Sequence, residues 1–308
     1  MAACHATHIA AIHINMSASP PHLLLLAGPT ASGKSALALD WAVKTGGIIL
    51  NADSMQLYEA VPTLTARPSA DDEAIARHVL YGHLGPDQMW STGQWLRAAQ
   101  PFIDAALRGD TALCVVGGTG LYFLSLIRGL AEIPEIGDHA RTQARQAYID
   151  MGEEAFRGLL LSVDAEACAR ILPNDQQRLT RAYEVWLETG RALSDWQKTN
   201  APILPQGSYH LEVLRPDREW LYSRCDHRFD MMLENGVLEE VEALMVSGLK
   251  PEWPIMRVLG LSEISACIQG DMTLEAARAL AQQKTRNYAK RQMTWFRNQM
   301  PSLKELPR

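Results

Sequence analysis

The first apolar block of the chain, Leu23 to Leu26, is a run of four leucines with no polar position between them. That pattern predicts a short strand buried on both faces. It breaks into Gly28, Pro29, Thr30, Ala31, Ser32, Gly33, Lys34 and Ser35, after which an amphipathic stretch, Ala36 to Trp41, takes over at helical spacing. Two further apolar runs, Gly47 to Asn51 and Ala112 to Val116, read as strands. One leads to Asp53; the other leads to the turn Gly117, Gly118, Thr119, Gly120 and an apolar helix, LYFLSLIRGL. Strands that alternate with helices and end in Gly- or Asp-bearing turns predict a parallel α/β sheet with ligands at the strand C-terminal ends. Lys34, Asp53 and Thr119 then share one rim.

From about Glu132 to Asn200 the period becomes helical throughout, as in ARTQARQAYIDMG and NDQQRLTRAYEVWLETG. The run Gly207 to Leu214 then reads as another strand, and helices dominate thereafter, interrupted at Pro251 and Pro254. The expected organisation is a phosphate-loop NTPase-like α/β core, residues 22–131 and 201–308, with its parallel sheet flanked by helices. A smaller all-helical insertion occupies 132–200. Residues 1–21 read as a disordered extension in which Met16 is an alternative start and His5, His8 and His13 are incidental.

With 308 residues, 47% of them hydrophobic, the chain can bury a substantial core. No apolar run approaches the roughly 20 residues that a membrane-spanning helix needs. Five cysteines without a C-x-x-C pair suggest neither a zinc ribbon nor a disulfide scaffold. A monomeric, cytoplasmic protein is expected. The net charge of −6 argues against a surface basic all over, so nucleic-acid binding must rest on local patches. One such patch is residues 278–299, with six Lys or Arg and no acid. On a helix, Lys284, Tyr288, Arg291 and Trp295 fall near one face, and a basic face interleaved with aromatics can grip phosphates and stack bases. The same aromatics read equally as core positions.

The loop Gly28 to Ser35 fits G-x-x-x-x-G-K-[ST] at every fixed position. Its glycines permit the tight turn, its amides face an anion at a helix N-terminus, Lys34 adds a point charge, and Ser35 offers a hydroxyl to Mg²⁺. Thr30 and Ser32 add hydroxyl donors or only shape the turn. ATP, GTP or a small diphosphate ester all satisfy such a nucleotide-binding loop. The run Leu113 to Val116 is followed by Gly117 rather than Asp, so it lacks the acidic metal ligand of a conventional ATPase. Asp53 offers a carboxylate that can act as a general base, and the order Asp53, Ser54, Met55, Gln56 reads equally as a helix cap with a capping-box Gln. Thr119 either hydrogen-bonds a substrate or caps the helix after it. Arg224 and Arg228, spaced i and i+4, either reach the phosphates or form a solvated face.

The segments GPTASGKSALAL, NADSMQLY, VVGGTGLYFLSLIRGL, NDQQRLTRAYEVW and NYAKRQMTWFR, in this order, resemble the tRNA dimethylallyltransferase family from about Leu23 to Arg297. The resemblance implies transfer of a dimethylallyl group from dimethylallyl diphosphate to N6 of the adenosine at position 37, in the tRNA anticodon loop, with Mg²⁺. It implies that Asp53 and Thr119 are catalytic, and that Gly28, Thr30, Ala31, Ser32, Gly33, Lys34 and Ser35 hold diphosphate together with Arg224 and Arg228. It further implies RNA contacts from Asp53, Ser54, Met55, Gln56 and Thr119. In the insertion these contacts come from Arg141 and the run Gln177, Arg178, Leu179, Thr180, Arg181, and near the C-terminus from Arg257, Lys284 and Arg291. The chain departs from the family pattern at VPTLTARP, Val61 to Pro68, at RHVLYGHLG and at VLGLSE. These changes bear on contacts around the adenine and the RNA rather than on the reaction.

Overall fold

The structure, a computed structural model, describes residues 20–300. Residues 1–19, which hold most of the expected extension with Met16 and its three histidines, lie outside the described residues. By its internal contacts the chain divides into two compact units, one built on residues up to Leu124 and from Leu204 onward, the other on Ser125–Ile203.

The first unit carries a five-stranded, all-parallel sheet of order β3-β2-β4-β1-β5. Its strands are β1 (Leu23–Ala27), β2 (Ile48–Asn51), β3 (His78–Val79), β4 (Leu113–Gly117) and β5 (His210–Val213). Every residue of β1, β2 and β4 is buried. Each leucine so placed contributes about 1.5–3 kcal/mol, which anchors the loops that leave these strands. In register, Leu25 pairs with Val115 and Leu50 pairs with the same valine from the other side. Helix α1 (Lys34–Thr45) begins inside the Gly28–Ser35 loop, at Lys34, and packs Ala38, Trp41 and Ala42 under the sheet.

Between Asp53 and Ala112, where the sequence pattern predicts no element, the chain forms a 3-10 turn (Met55–Leu57), α2 (Pro62–Thr65), α3 (Ala70–Ile75), β3 and α4 (Thr92–Arg108). Strand β3 is only two residues, paired Ile49 to His78 and Leu50 to Val79, too short to carry a period. Helix α4 has a clear capping box, Ser91 with Gln94, but Pro101 interrupts its apparent pattern. Strand β2 starts at Ile48, and the preceding Gly47 lies against the Trp41 ring and Ala112 O, where a Cβ would meet atoms at 2.6–2.8 Å. After β4 comes α5 (Gly120–Arg128).

The second unit is helical: α6 (Asp138–Val163), α7 (Ala165–Arg170), α8 (Gln176–Thr189) and α9 (Leu193–Gln197). Its core joins Phe156, Leu160, Leu179, Ala182 and Tyr183. It reaches beyond 132–200, since Ile203 N–H donates to Leu126 O at 3.0 Å and Gly129 lies against Ala201. One expectation is corrected here. Leu179 is fully buried and Thr180 is 6% exposed with its hydroxyl bonded to Gln176 O at 2.9 Å, so neither side chain is available to RNA. They sit on the apolar face by which α8 packs. The cap of α8 is Asp175, whose carboxylate accepts from Arg178 N–H at 3.1 Å.

The chain returns to the first unit through β5 and ends in α10 (Arg218–Glu234), α11 (Val237–Val246), a second 3-10 turn (Pro254–Arg257), α12 (Leu261–Ile268) and α13 (Leu274–Gln299). Helix α13 packs against α10 and α12 through small residues, Ala277, Ala281 and Ala289, with Phe296 closing its buried edge.

Candidate active site

The loop after β1 is shaped by backbone that few side chains tolerate. Gly28 has its Cα against Leu214, where a Cβ would meet Leu214 Cβ at 3.0 Å, and Gly33 adopts φ +87°. Ala31, at φ 61°, takes the same left-handed region without being glycine. Lys34 opens α1, so the amides of the loop's end face outward at a helix N-terminus, the arrangement that favours an anion. The Lys34 ammonium donates to Pro29 O at 2.6 Å. Burial brings it down to about 8; the negative charge of Asp53 opposes that shift and Arg228 adds to it. Arg228 donates to Thr30 Oγ1 at 2.6 Å, and burial pushes its guanidinium down as well. Arg224, one turn earlier on α10, lies over the Trp220 ring at 5.7 Å.

A cavity of about 540 Å³ joins these groups to the next strand. Thr30, Ala31, Ser32, Gly33, Lys34, Ser35, Arg224 and Arg228 line it together with Asp53 and Gln56. Asp53 is positioned by Asn51, which is fully buried: Asp53 N–H donates to Asn51 Oδ1 at 2.8 Å, while Asn51 Nδ2 donates to Asp53 O at 3.0 Å and to Leu80 O at 2.8 Å. One carboxylate oxygen, Oδ1, accepts Met55 N–H at 3.0 Å. Asp53 is therefore a turn cap whose carboxylate also lines the cavity. Gln56 is not its capping-box partner, because its amide donates to Thr65 O at 3.0 Å and Ala66 O at 2.8 Å.

The turn after β4 locks against this segment. Thr119 N–H donates to Ala52 O at 3.0 Å, and Thr119 Oγ1 accepts Ser54 N–H at 2.9 Å. A Cβ on Gly117 would meet Ala52 backbone at 2.1 Å, so the two strand tips touch as only glycine allows. Thr119, Ser54 and Met55 lie beside the cavity rather than on its wall. Its far wall carries Arg67, His78 and Tyr81, and its rim His227 and Met231. Burial pushes the Tyr81 phenol up, with Asp53 among the further causes, and it stays a neutral hydroxyl.

The remaining candidates lie elsewhere. Lys284 forms an ion pair with the buried Glu263, which binds its charge to α12. Arg257 Nη1 lies 3.3 Å from Met89 Sδ. Arg291 lies over the Tyr288 ring at 5.6 Å and shares an exposed groove with Asn287, Lys290 and Trp295. In the helical unit Arg141, Arg178 and Arg181 pair with Asp138, Asp175 and Glu184 at 3.2, 3.4 and 3.3 Å, and Gln177 is exposed. Asn51, Arg67, Tyr81, His227 and Gln292 were not foreseen. They come from separate segments without motif spacing, and strand order together with helix packing brings them together.

Residues 56–299 match the family described as IPP transferase. The chain is 51% identical over 281 residues to a tRNA dimethylallyltransferase of Phenylobacterium zucineum (strain HLK1), covering 91% of both. It is 48% identical over 279 residues to a tRNA dimethylallyltransferase of Caulobacter sp. (strain K31), covering 91% of this chain and 90% of that one. A solved eukaryotic dimethylallyltransferase acting on tRNA is similar with a TM-score of 0.77 at 25% identity, covering 89% of this chain and 69% of that one.

Proposed function

This chain belongs to the IPP transferase family and is a tRNA dimethylallyltransferase, and on that premise we propose that its donor is dimethylallyl diphosphate and its acceptor N6 of the adenosine at position 37. What supports this is one observation: the Asp53 carboxylate, Lys34 of the phosphate loop and Arg228 of α10 line a single cavity. A leaving diphosphate and a base for an amine proton can thus meet within it.

An exocyclic adenine amine is a weak nucleophile, because its lone pair is delocalised into the ring. As N6 forms its bond to the allylic carbon, the bond from that carbon to the diphosphate oxygen breaks. The N6 proton passes to Asp53, a transfer of the kind worth about 10²- to 10⁴-fold. Lys34, Arg228 and the amides at the start of α1 stabilise the charge gathering on the diphosphate, and Arg224 completes the cationic wall. Thr119 holds Ser54 in place and presents its threonine beside the acceptor side of the cavity.

Mg²⁺ fits the donors present. Ser35 offers a hard hydroxyl oxygen on the cavity and would hold the ion together with the substrate phosphates, where it would supply charge neutralisation. The expected RNA contacts are Arg141, Gln177, Arg178 and Arg181 within the helical unit and, separately, Arg257 and Arg291 within the sheet unit; an anticodon loop lets a base leave its stack at little cost.

The test is to incubate the protein with radiolabelled dimethylallyl diphosphate, Mg²⁺ and an unmodified anticodon stem-loop. Label should be recovered in an N6-alkylated adenosine. Recovery of none, with RNA binding intact, overturns the donor or acceptor assignment.

A further inference from the structure

We propose that Gln292, on the C-terminal helix, is a positioning residue that sets the distance between the diphosphate half and the nucleobase half of the site. The inference rests on the reading of the cavity given above.

Gln292 is 6% exposed. Its side-chain oxygen accepts Thr30 N–H, in the phosphate loop, at 2.8 Å, and its side-chain nitrogen donates to Gly118 O, in the turn after β4, at 2.9 Å. One amide therefore spans the two loops that the reaction must hold in register. Few side chains can do this: it takes a donor and an acceptor on one planar group. The turn is shaped to receive it, since a Cβ on Gly118 would meet Gln292 Nε2 at 2.3 Å. One helical turn further along, Trp295 lies over Gly120, where a Cβ would meet its ring at 2.1 Å. Helix α13 thus presses two side chains onto a glycine turn that is itself bonded to Ala52 and Ser54 on either side of Asp53.

The chemistry explains why such a brace matters. Attack requires the reacting atoms within about 3–3.5 Å and in line, and a displacement of about 1 Å can cost about 10²-fold in rate. Gln292 is not among the residues that line the cavity, so it reaches the reaction only through Thr30 and Gly118. Its effect is on the geometry between the groups that do line it.

The deciding variant is Gln292→Met, which keeps the length and volume of the side chain and removes both hydrogen bonds. Gly118→Ala attacks the same contact from the turn, without altering α13. Single-turnover rates at saturating donor and RNA read the chemical step independently of how much protein is folded. The rate is expected to fall about 10- to 100-fold in each variant, with donor KM and RNA affinity changed less than about threefold. Gln292→Glu keeps an acceptor for Thr30 N–H but sets a negative charge beside the diphosphate, so donor KM should rise as well. A wild-type single-turnover rate in Gln292→Met overturns the proposal, as does a rate loss fully mirrored in donor KM or RNA affinity. If Gln292→Met does not fold, a wild-type rate in Gly118→Ala overturns it equally. These outcomes are distinct from failure of the functional reading, in which the wild-type protein itself transfers nothing.

Discussion

Asp53 in the sheet unit and Asp164 in the helical unit both follow the end of a regular element and both accept backbone amides, yet they are used in opposite ways. Asp164 is buried; one oxygen accepts Ala167 N–H at 2.9 Å and the other Ser194 N–H at 3.0 Å. Burial works against its charge, but these amides hold it below the usual carboxylate range. Asp53 is half-buried, gives one oxygen to Met55 N–H, and lines a cavity shared with Lys34. A carboxylate saturated on all sides ties three segments of a helical unit together. One that lines a cavity with a buried lysine is placed for chemistry. The cations divide similarly: Arg228 leans on the loop hydroxyl of Thr30, whereas Arg141, Arg178 and Arg181 pair with acids on their own helices.

The sharpest way to break this contrast is to exchange the consequences of losing each acid. Asp53→Asn should lower turnover by about 10²-fold or more with RNA affinity and thermal midpoint unchanged; near-normal turnover removes Asp53 from the base role. Asp164→Ala leaves two buried amides without an acceptor and should cost about 1–3 kcal/mol of stability in a denaturant melt, with the single-turnover rate retained. Because the folded state holds Asp164 below its unfolded value, its stabilisation is complete above the unfolded value and is lost as pH falls through the folded one. A wild-type acid limb in Asp164→Ala would contradict that.

Lys34 supplies a graded test. With its ammonium at about 8 in the free protein, it is protonated below that pH and neutral above it. Affinity for inorganic diphosphate, followed by calorimetry, should therefore weaken as pH rises past about 8, by at most about tenfold per unit, and Lys34→Met should flatten the curve. The smallest effects belong to the paired surface cations of the helical unit. Arg141→Ala should weaken RNA binding by a few-fold and lower the salt dependence by about one counterion. An unchanged salt slope would place Arg141 outside the RNA contact.

Much of the fold was legible because its signals are local. Four leucines in succession announce a strand covered on both faces, and the glycines, lysine and serine of the loop constrain one backbone path within eight positions. The two-residue strand His78–Val79 carries no period, and α8 shows why a motif overstates contacts: Leu179 and Thr180 fall on the face that the helix buries. The site was legible in its parts and not in its assembly.

The chain's order of residues alone determined the anion-binding loop, the buried strands and the helical character of 132–200, since each depends on neighbours within a few positions. Tertiary structure decided which side chains meet. Thr30 and Gln292 are 262 positions apart and Asn51 and Leu80 are 29 apart, and strand order with helix packing makes them partners. Hydrogen bonds between distant segments obey the geometry of the folded sheet, and no periodicity along the chain encodes them.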